Sequence, residues 1–335
     1  MAKFEIPDGY KTTMSVIETE TVIRDLRRNF EESLSKALSL IRVSAPLFVF
    51  PETGLNDNLS GNERPVSFDI PYIDGKNAEI VHSLAKWKRY ALGKYEFAVG
   101  TGFYTEMNAI RREETLSNLH SIYVDQWDWE KVITREQRTV ETLQEIVRAI
   151  YSALKQTETF MHTNYKLEPF LPDNITFVTT QEMEDTMPNA TPKERENAFA
   201  KKYGAIFLAQ IGQKLSSGNK HDGRAPDYDD WTLNGDIIID YPLLGYAVEL
   251  SSMGIRVDET ALMRQLEESD SLVRLELPYH KALMNAELPF SVGGGIGQSR
   301  VCMVLMQRAH IGEVQCSVWP NDVLAECERR GVDLL

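Results

Sequence analysis

The sequence predicts an α+β protein in which pairs of antiparallel strands are flanked by helices. Residues 236–258 predict one strand pair, since short bursts of β-branched residues surround a turn at 242–245. Residues 103–132 predict a second pair, with a long polar loop between the two strands. Apolar residues recur every three or four positions in 21–41 and in 140–154, which predicts two long amphipathic helices.

Composition excludes several classes of protein. The 335 residues suffice for one large domain or two ordinary ones. A net charge of −14 opposes a nucleic-acid partner, because affinity for a phosphate backbone comes mostly from clustered Lys and Arg. No apolar run approaches the roughly 20 residues of a membrane span, and the N-terminus lacks a signal-peptide layout. Three cysteines, Cys302, Cys316 and Cys327, indicate a reducing compartment, so we expect a cytoplasmic protein without a membrane partner.

The first third of the chain adds shorter elements to the long helix. Residues 43–50 predict a strand, and Pro46 within it favours an edge position. A polar turn-rich loop is expected over 52–64, followed by a strand over 66–73 and a helix over 80–92.

The middle of the chain predicts structural elements and one charged loop. Residues 175–179 and 205–212 predict strands. Between them, the capping hydroxyl of Thr191 predicts the start of a helix, and Gly204 predicts its end. Residues 219–231 contain three Asp in four positions but lack a calcium-loop pattern, which favours a mobile loop over the site.

The strand pair at 236–258 carries charge that a plain core would not. Charge inside a buried sheet is costly unless it is paired or liganded. A bulge at Ser251 or Ser252 would bring Glu249 to the same face as Ser252 and Arg256. The alternative is an exposed hairpin with one solvated face.

Residues 290–308 predict a strand, a glycine-rich turn and a helix. The segment fails as a dinucleotide-binding fingerprint because Gln298 stands where the third glycine is required. It also fails as a phosphate-binding P-loop, since Gly-Lys-Ser/Thr occurs nowhere in the chain.

Several stretches resemble class II aminoacyl-tRNA synthetases of the aspartyl and asparaginyl type. The segment Glu249-Leu-Ser-Ser-Met-Gly-Ile-Arg256 is similar to their substrate-binding strand. The Arg-x-Glu at Arg111 and Glu113 resembles motif 2, and the glycine-rich stretch before Arg300 resembles motif 3. The long first helix and the strand after it resemble motif 1, which implies a homodimer.

The resemblance to one branch of this group runs nearly end to end. His-Ser-Leu-Ala-Lys-Trp-Lys-Arg, Val-Asp-Gln-Trp-Asp-Trp-Glu and Arg-Ala-Pro-Asp-Tyr-Asp-Asp-Trp closely resemble the ammonia-dependent asparagine synthetases, or A-type aspartate–ammonia ligases. Only about 40 residues precede motif 1. The resemblance therefore implies a single class II synthetase-like catalytic domain over 1–335, a mostly antiparallel sheet flanked by helices, without an anticodon-binding domain.

The implied reaction has two steps and needs ATP, L-aspartate, ammonia and Mg²⁺. ATP and aspartate form β-aspartyl-adenylate with release of pyrophosphate, and ammonia then displaces AMP to give asparagine. The implied substrate-binding residues are Ser83, Lys88, Gln126, Asp128, Ser252 and Arg256. The implied nucleotide-binding residues are Arg111, Glu113, Asp229, Gly295 and Arg300. The implied metal-binding residues are Asp236, Glu249 and Ser252.

Three residues are expected to be catalytic: Asp57, Arg111 and Arg300. Our hypothesis is that Asp57 accepts a proton from ammonium, and the resemblance implies that the two arginines bind the phosphates. Each assignment has a plainer alternative. Asp57 is otherwise a turn-forming residue, Lys88 a solvated charge, and Arg111 with Glu113 a cross-strand ion pair. At the level of function, the alternative is a catalytically silent or carrier-acylating paralogue of aspartyl-tRNA synthetase.

Overall fold

A computed structural model describes residues 4–59 and 63–335. The α-helices are α1 Val16–Leu38, α2 Ala85–Lys94, α3 Val140–Tyr165, α4 Thr180–Thr186, α5 Pro192–Tyr203, α6 Glu259–Glu268, α7 Pro278–Met284, α8 Gln298–Leu305 and α9 Asn321–Arg330. The strands are β1 Leu40–Arg42, β2 Phe48–Val49, β3 Ser67–Ile70, β4 Lys76–Ile80, β5 Gly102–Ile110, β6 Tyr123–Val132, β7 Thr176–Thr179, β8 Ala205–Ala209, β9 Asp229–Tyr241, β10 Tyr246–Arg256 and β11 Ser291–Gly297.

An eight-stranded sheet organises the molecule, with the strand order β1-β5-β6-β11-β10-β9-β8-β7. The pairs β1–β5 and β7–β8 are parallel, whereas all the pairs between β5 and β8 are antiparallel. A second, three-stranded sheet has the order β2-β4-β3. The predicted α+β architecture with a mostly antiparallel sheet and flanking helices is confirmed. Within the two described ranges, no helix is long and apolar enough to cross a membrane.

Helices α1 and α3 cover one face of the large sheet. Their apolar stripes pack on each other and on the sheet, and Phe30 of α1 lies against Trp127 of β6 at a ring-centroid distance of 4.6 Å. Helix α1 begins at a capping box formed by Ser15 and Glu18, which explains why it starts earlier than predicted. The apolar periodicity thus predicted both helices, and their caps set the ends.

The opposite face of the sheet carries polar side chains in register. Successive residues of a strand point to opposite faces, so Trp127 and Trp129 of β6 enter the core while Gln126, Asp128 and Glu130 face the other way. Helix α2 covers part of this second face. The alternation along β6 therefore places three polar residues beneath α2.

The β9–β10 hairpin confirms the strand pair predicted at 236–258. Its register shifts between Glu249 and Ser251. A β-bulge is therefore present, just before the position expected at Ser251 or Ser252. Glu249 and Ser252 both line the same cavity as a result, together with Arg256. The exposed-hairpin alternative is wrong, because most of β10 is buried.

Three local predictions are wrong. The strand expected over 43–50 is interrupted, since β1 ends at Arg42 and Pro46, which has no N–H for a ladder, lies in the irregular segment before β2. The helix expected from residue 80 begins only at Ala85, because residues 76–80 form β4. The loop expected over 219–231 ends early, since β9 already begins at Asp229.

Candidate active site

A cavity of about 610 Å³ opens on the polar face of the large sheet, a volume in the usual range for ligand pockets. Most of the residues singled out in the sequence line it. These are Asp57, Ser83, Lys88, Arg111, Gln126, Asp128, Asp229, Glu249, Ser252, Arg256, Gly295 and Arg300. The fold therefore brings together side chains that lie more than 200 positions apart in the chain.

Sheet register explains this convergence. Asp128 of β6 pairs with Gly295 of β11, Gly295 with Ser252 of β10, and Ser252 with Asp236 of β9. These four residues form a row across adjacent strands on one face of the sheet. A row of this kind depends on the antiparallel pairing and cannot be read from spacing along the chain.

Lys88 is buried and bound rather than solvated. Its Nζ donates to Asp128 Oδ1 at 2.6 Å and to the carbonyl oxygen of Gly294 at 2.7 Å. Burial lowers the pKa of Lys88, and the charge of Asp128 opposes that shift. The second carboxylate oxygen of Asp128 is buried and has no hydrogen-bond partner, so it is an acceptor that a substrate amine would satisfy.

Arg256 is held by two carboxylates that the sequence analysis did not assign to it. Glu130 accepts from Arg256 Nε at 2.8 Å and from Nη2 at 2.6 Å, and Asp229 accepts from Nη1. Ser291 also donates to Glu130, at 2.8 Å. Burial raises the pKa of Glu130, but the charge and hydrogen bonds of Arg256, together with Lys88 and Ser291, more than offset this and hold it below its ordinary value. Asp229 thus contacts Arg256, although it was assigned to the nucleotide side.

The glycines before Arg300 form strand β11 itself, so the predicted glycine-rich turn is wrong. The lack of room for a side chain explains why this strand is rich in glycine. A methyl group on Gly293 would lie 2.5 Å from Cδ of Glu130 and 2.6 Å from Nη2 of Arg256. A methyl group on Gly295 would lie 3.1 Å from Oδ1 of Asp128. These glycines leave room for the charged side chains of the neighbouring strands.

Arg300 stands in the first turn of α8, which begins directly after β11. Its Nη1 donates to the backbone carbonyl of Glu249 at 2.9 Å, at the bulge of β10. The preceding Ser299 donates from its backbone N–H and its hydroxyl to Asp125, at 3.1 and 2.7 Å. Asp125 of β6 therefore caps the helix that carries Arg300, a role the sequence analysis missed.

Arg111 lines the same cavity as Arg300 and His120. The Nε of Arg111 is buried without a hydrogen-bond partner, which leaves it available to an incoming anion. Burial and the charge of Arg300 lower the pKa of His120 to about 4. The imidazole is thus neutral near pH 7, and the positive charge at this end of the cavity comes from arginine.

Glu113 does not line the cavity. It lies at the surface, where its carboxylate accepts from the backbone N–H of Arg64 at 2.8 Å and from its guanidinium at 2.5 Å. The neighbouring Glu114 lines the cavity instead. The partner of Glu113 is therefore not Arg111, as the plainer alternative supposed.

Asp236 lies beneath Arg224, whose guanidinium contacts one of its carboxylate oxygens. The other oxygen, Oδ1, is buried without a partner. Burial raises the pKa of Asp236 to about 7 and Glu249 adds to this, against the charge of Arg224. Among the described residues, no group of three or more His, Cys, Asp and Glu could hold a metal alone. Two carboxylates and the Ser252 hydroxyl nevertheless suit Mg²⁺, which takes its other ligands from water and phosphate.

Asp57 lies buried at the other side of the cavity. Its Oδ2 accepts from the hydroxyl of Ser83 at 2.9 Å, and its Oδ1 accepts from the backbone N–H of Leu59 at 2.9 Å. The bond to Leu59 is the turn interaction of the plainer alternative, and the bond to Ser83 turns the carboxylate towards the cavity. Both features are present in one side chain.

A buried ion cluster anchors the loop before β9. Asp227 accepts from His280 at 2.9 Å, from Arg274 at 2.9 Å and from Lys86 at 3.3 Å. The loop residues beside it, including Tyr228, line the cavity. The aspartate run was visible in the sequence, but its partners lie 47 to 141 positions away.

Comparison with known proteins places this geometry in a family. The sequence model described as aspartate–ammonia ligase matches residues 17–331. The chain is similar to the aspartate–ammonia ligase of Clostridium perfringens strain SM101, with 57% identity over 336 residues and 100% of both chains. It is similar to that of Fusobacterium nucleatum, with 58% identity over 328 residues, 98% of this chain and 100% of the relative.

Solved structures show the fold. Asparaginyl-tRNA synthetase from Pyrococcus horikoshii, complexed with asparaginyl-adenylate, superimposes with a TM-score of 0.63 at 13% identity, over 90% of this chain and 70% of that one. Asparaginyl-tRNA synthetase from Entamoeba histolytica gives a TM-score of 0.61 at 13% identity, over 90% of this chain and 69% of that one. The predicted class II synthetase-like fold is therefore confirmed, and the chain belongs to the aspartate–ammonia ligase family.

Proposed function

We propose that this protein catalyses the ATP-dependent amidation of L-aspartate by ammonia, through a β-aspartyl-adenylate, with release of AMP and pyrophosphate. One observation carries the proposal. A single cavity holds two arginines suited to phosphate, a buried lysine–aspartate pair suited to an amino acid, and Glu249, while Asp236 lies behind the cavity-lining Arg224. Such a site positions both substrates and places cationic charge where the α-phosphate develops negative charge.

The nucleotide end of the cavity is assigned to Arg111 and Arg300. Arginine binds phosphate through two parallel N–H donors, and neither guanidinium is enclosed by carboxylates in the described structure. Gly295 is kept on the nucleotide side only on the resemblance, since the space beside it is filled by Gln126 and Asp128. Glu113 is kept as a residue for the adenine side only on the resemblance, since its carboxylate is bound to Arg64.

The amino-acid end is assigned to the residues of α2 and β6. Lys88 and Arg256 supply positive charge for the substrate carboxylates, and Asp128 and Gln126 supply acceptors for the α-amino group. Ser83 lies beside Asp57 at this end. Since Arg256 is already bound by Glu130 and Asp229, its charge acts on aspartate from within a fixed ion cluster.

The metal assignment rests on Asp236 of β9 and Glu249 of β10, together with Ser252, which lies on β10 and pairs with Asp236. The unpartnered Oδ1 of Asp236 supports it, because a buried acceptor without a donor is a costly arrangement unless a ligand completes it. Bound Mg²⁺ would neutralise charge on the triphosphate and orient pyrophosphate as the leaving group.

Ammonia is proposed as the nitrogen donor, and Asp57 as its proton acceptor. Ammonium predominates near pH 7, since amines titrate near pH ~10, and the ion cannot attack before it loses a proton. Glutamine would require an activated nucleophile. Burial raises the pKa of Cys302 to about 11 and that of Cys327 to about 11, so neither is a ready thiolate.

A homodimer and a cytoplasmic setting belong to the same proposal. Exposed apolar side chains occur in β1, the edge strand of the large sheet, and in the segment that follows it, namely Ile41, Leu47 and Phe48, and exposed apolar surface can mark an association site. The cysteines are all free, as expected in a reducing compartment. The proposed catalytic unit is one domain over 1–335, since the largest core cluster joins residues of α1 to residues of α8.

Product analysis tests the reaction. The purified protein is incubated with ATP, aspartate and ammonium, and nucleotide and amino-acid products are separated. AMP together with asparagine supports the proposal, whereas ADP would exclude adenylation. Adenylation without asparagine would favour a carrier-acylating enzyme, and the absence of any turnover would favour a catalytically silent relative.

A further inference from the structure

Arg224 occupies a position that the proposed reaction does not yet use. Its guanidinium lies directly over the carboxylate of Asp236 and lines the cavity. The Arg224 side chain is 16% exposed and that of Asp236 is 7% exposed, so the arginine forms the cover of the acid. A charge pair with so little solvent around it interacts strongly.

Arg224 lines the same cavity as Glu249, the second carboxylate assigned to the metal. The negative charge of Glu249 acts on Arg224 together with that of Asp236. Arg224 therefore contributes cationic charge at the position where the two carboxylates would hold Mg²⁺. A guanidinium and a divalent cation compete for the same carboxylates, since like charges repel each other at close range.

The backbone after Arg224 is held by side-chain hydrogen bonds, and there is open space beside the residue before it. Trp231 Nε1 donates to the carbonyl of Ala225 at 3.2 Å, and Gln265 donates to the carbonyl of Pro226 at 2.9 Å. On the other side, Gly223 has no atom within 4 Å of where its Cβ would be. The exchange proposed below therefore needs a change of the Arg224 side chain, while the backbone that follows it stays in place.

We propose that Arg224 is the resident counter-ion of the metal site: it neutralises Asp236 and Glu249 while no metal is bound and turns to the triphosphate when Mg²⁺ and ATP enter. This inference rests on the metal assignment made above. The planar guanidinium binds carboxylate and phosphate through the same pair of N–H donors. The exchange therefore leaves no charge unpaired at either stage.

The exchange couples the metal to the nucleotide. Without ATP, a metal ion competes with Arg224 for Asp236. With ATP, the phosphates give Arg224 a new partner and the competition disappears. The native protein should therefore bind divalent metal weakly alone and tightly together with ATP.

Removal of the guanidinium separates this role from a structural one. We expect Arg224→Gln to bind Mn²⁺ about tenfold or more tightly than the native protein in the absence of nucleotide, a change of about 1.4 kcal/mol or more. Arg224→Lys keeps the charge and should stay near the native affinity. Lys220→Gln is the matched control, because it also removes a positive charge from this loop. The amine of Lys220 lies over the Trp231 ring and not on Asp236, so its removal should leave Mn²⁺ affinity near the native value.

The measurement is Mn²⁺ titration followed by electron paramagnetic resonance, with and without ATP and without aspartate. Thermal melting verifies that each variant is folded. Unchanged or weaker Mn²⁺ binding by folded Arg224→Gln, or equal gains in Arg224→Lys, would overturn the counter-ion role.

Asp236→Asn separates failure of this inference from failure of the proposed function. If Mn²⁺ binds the native protein with ATP and Asp236→Asn abolishes that binding, the metal assignment holds, and the Arg224 result decides the inference by itself. If Asp236→Asn binds Mn²⁺ with ATP as well as the native protein does, the metal assignment fails and takes the counter-ion role with it.

Discussion

Replacement of Gly293 by alanine tests the ion cluster around Arg256 with a single methyl group. That methyl would lie 2.5 Å from Cδ of Glu130, and real Cβ atoms essentially never approach a neighbour closer than 3.0 Å. The carboxylate must therefore retreat by at least about 0.5 Å, in an interior packed too densely to absorb the shift freely. The two bonds from Arg256 to Glu130, at 2.8 and 2.6 Å, cannot both survive.

The expected cost has two parts. Breaking a buried ion pair costs about 3 to 5 kcal/mol of the free energy of unfolding, because a charge is left uncompensated. Displacing Arg256 by about 1 Å costs on the order of 100-fold in kcat/KM for aspartate. Glu130→Gln should act in the same direction, since it leaves the space unchanged but removes the charge.

The assays are denaturant unfolding and steady-state kinetics with aspartate as the varied substrate. Gly223→Ala is the control for stability, because its methyl group meets no atom within 4 Å, and we expect a change within about 0.5 kcal/mol. If Gly293→Ala unfolds within about 0.5 kcal/mol of the native protein and keeps its kcat/KM, the contact argument is wrong.

Four further substitutions test individual residues. Arg256→Leu should lose about 2 to 5 kcal/mol of transition-state binding of aspartate, and unchanged kcat and KM would remove Arg256 from the site. Arg111→Ala should abolish exchange of labelled pyrophosphate into ATP, so robust exchange would contradict its phosphate role. Asp57→Asn should keep this exchange, lose asparagine formation near neutral pH and regain part of it as pH rises; equal loss of both half-reactions at every pH would indicate a structural role. The pKa of His120 is lowered to about 4 from 6.5, so the unfolded chain binds a proton between these values that the folded chain does not. That contribution to stability is present above pH 6.5 and is lost as pH falls towards 4. The free energy of unfolding of His120→Gln, measured by urea unfolding, should therefore fall less steeply between pH 6.5 and pH 4 than that of the native protein. An identical dependence of the free energy of unfolding on pH in the two proteins would refute the assignment.

Local pattern determined much of the fold. Apolar periodicity predicted α1 and α3, alternation predicted the β5–β6 and β9–β10 pairs, and Thr191 with Gly204 predicted both ends of α5. These signals are legible because a helix cap, a turn and an amphipathic stripe each depend on residues only a few positions apart. The motifs that identified the cavity residues are equally local.

Tertiary structure decided how those residues are paired. Glu130 meets Arg256 across 126 positions and Asp125 caps Ser299 across 174, through strand register that no short segment contains. Arg224 lies only 12 positions from Asp236, yet their contact requires the loop to fold back over β9. The sequence by itself therefore determined most of the assigned side chains that reach the cavity, whereas only the sheet and its loops excluded Glu113, added Glu114 and Arg224, and decided which charges neutralise one another. The physical reason is that a buried charge is stable only beside a partner, and partners here are set by long-range packing.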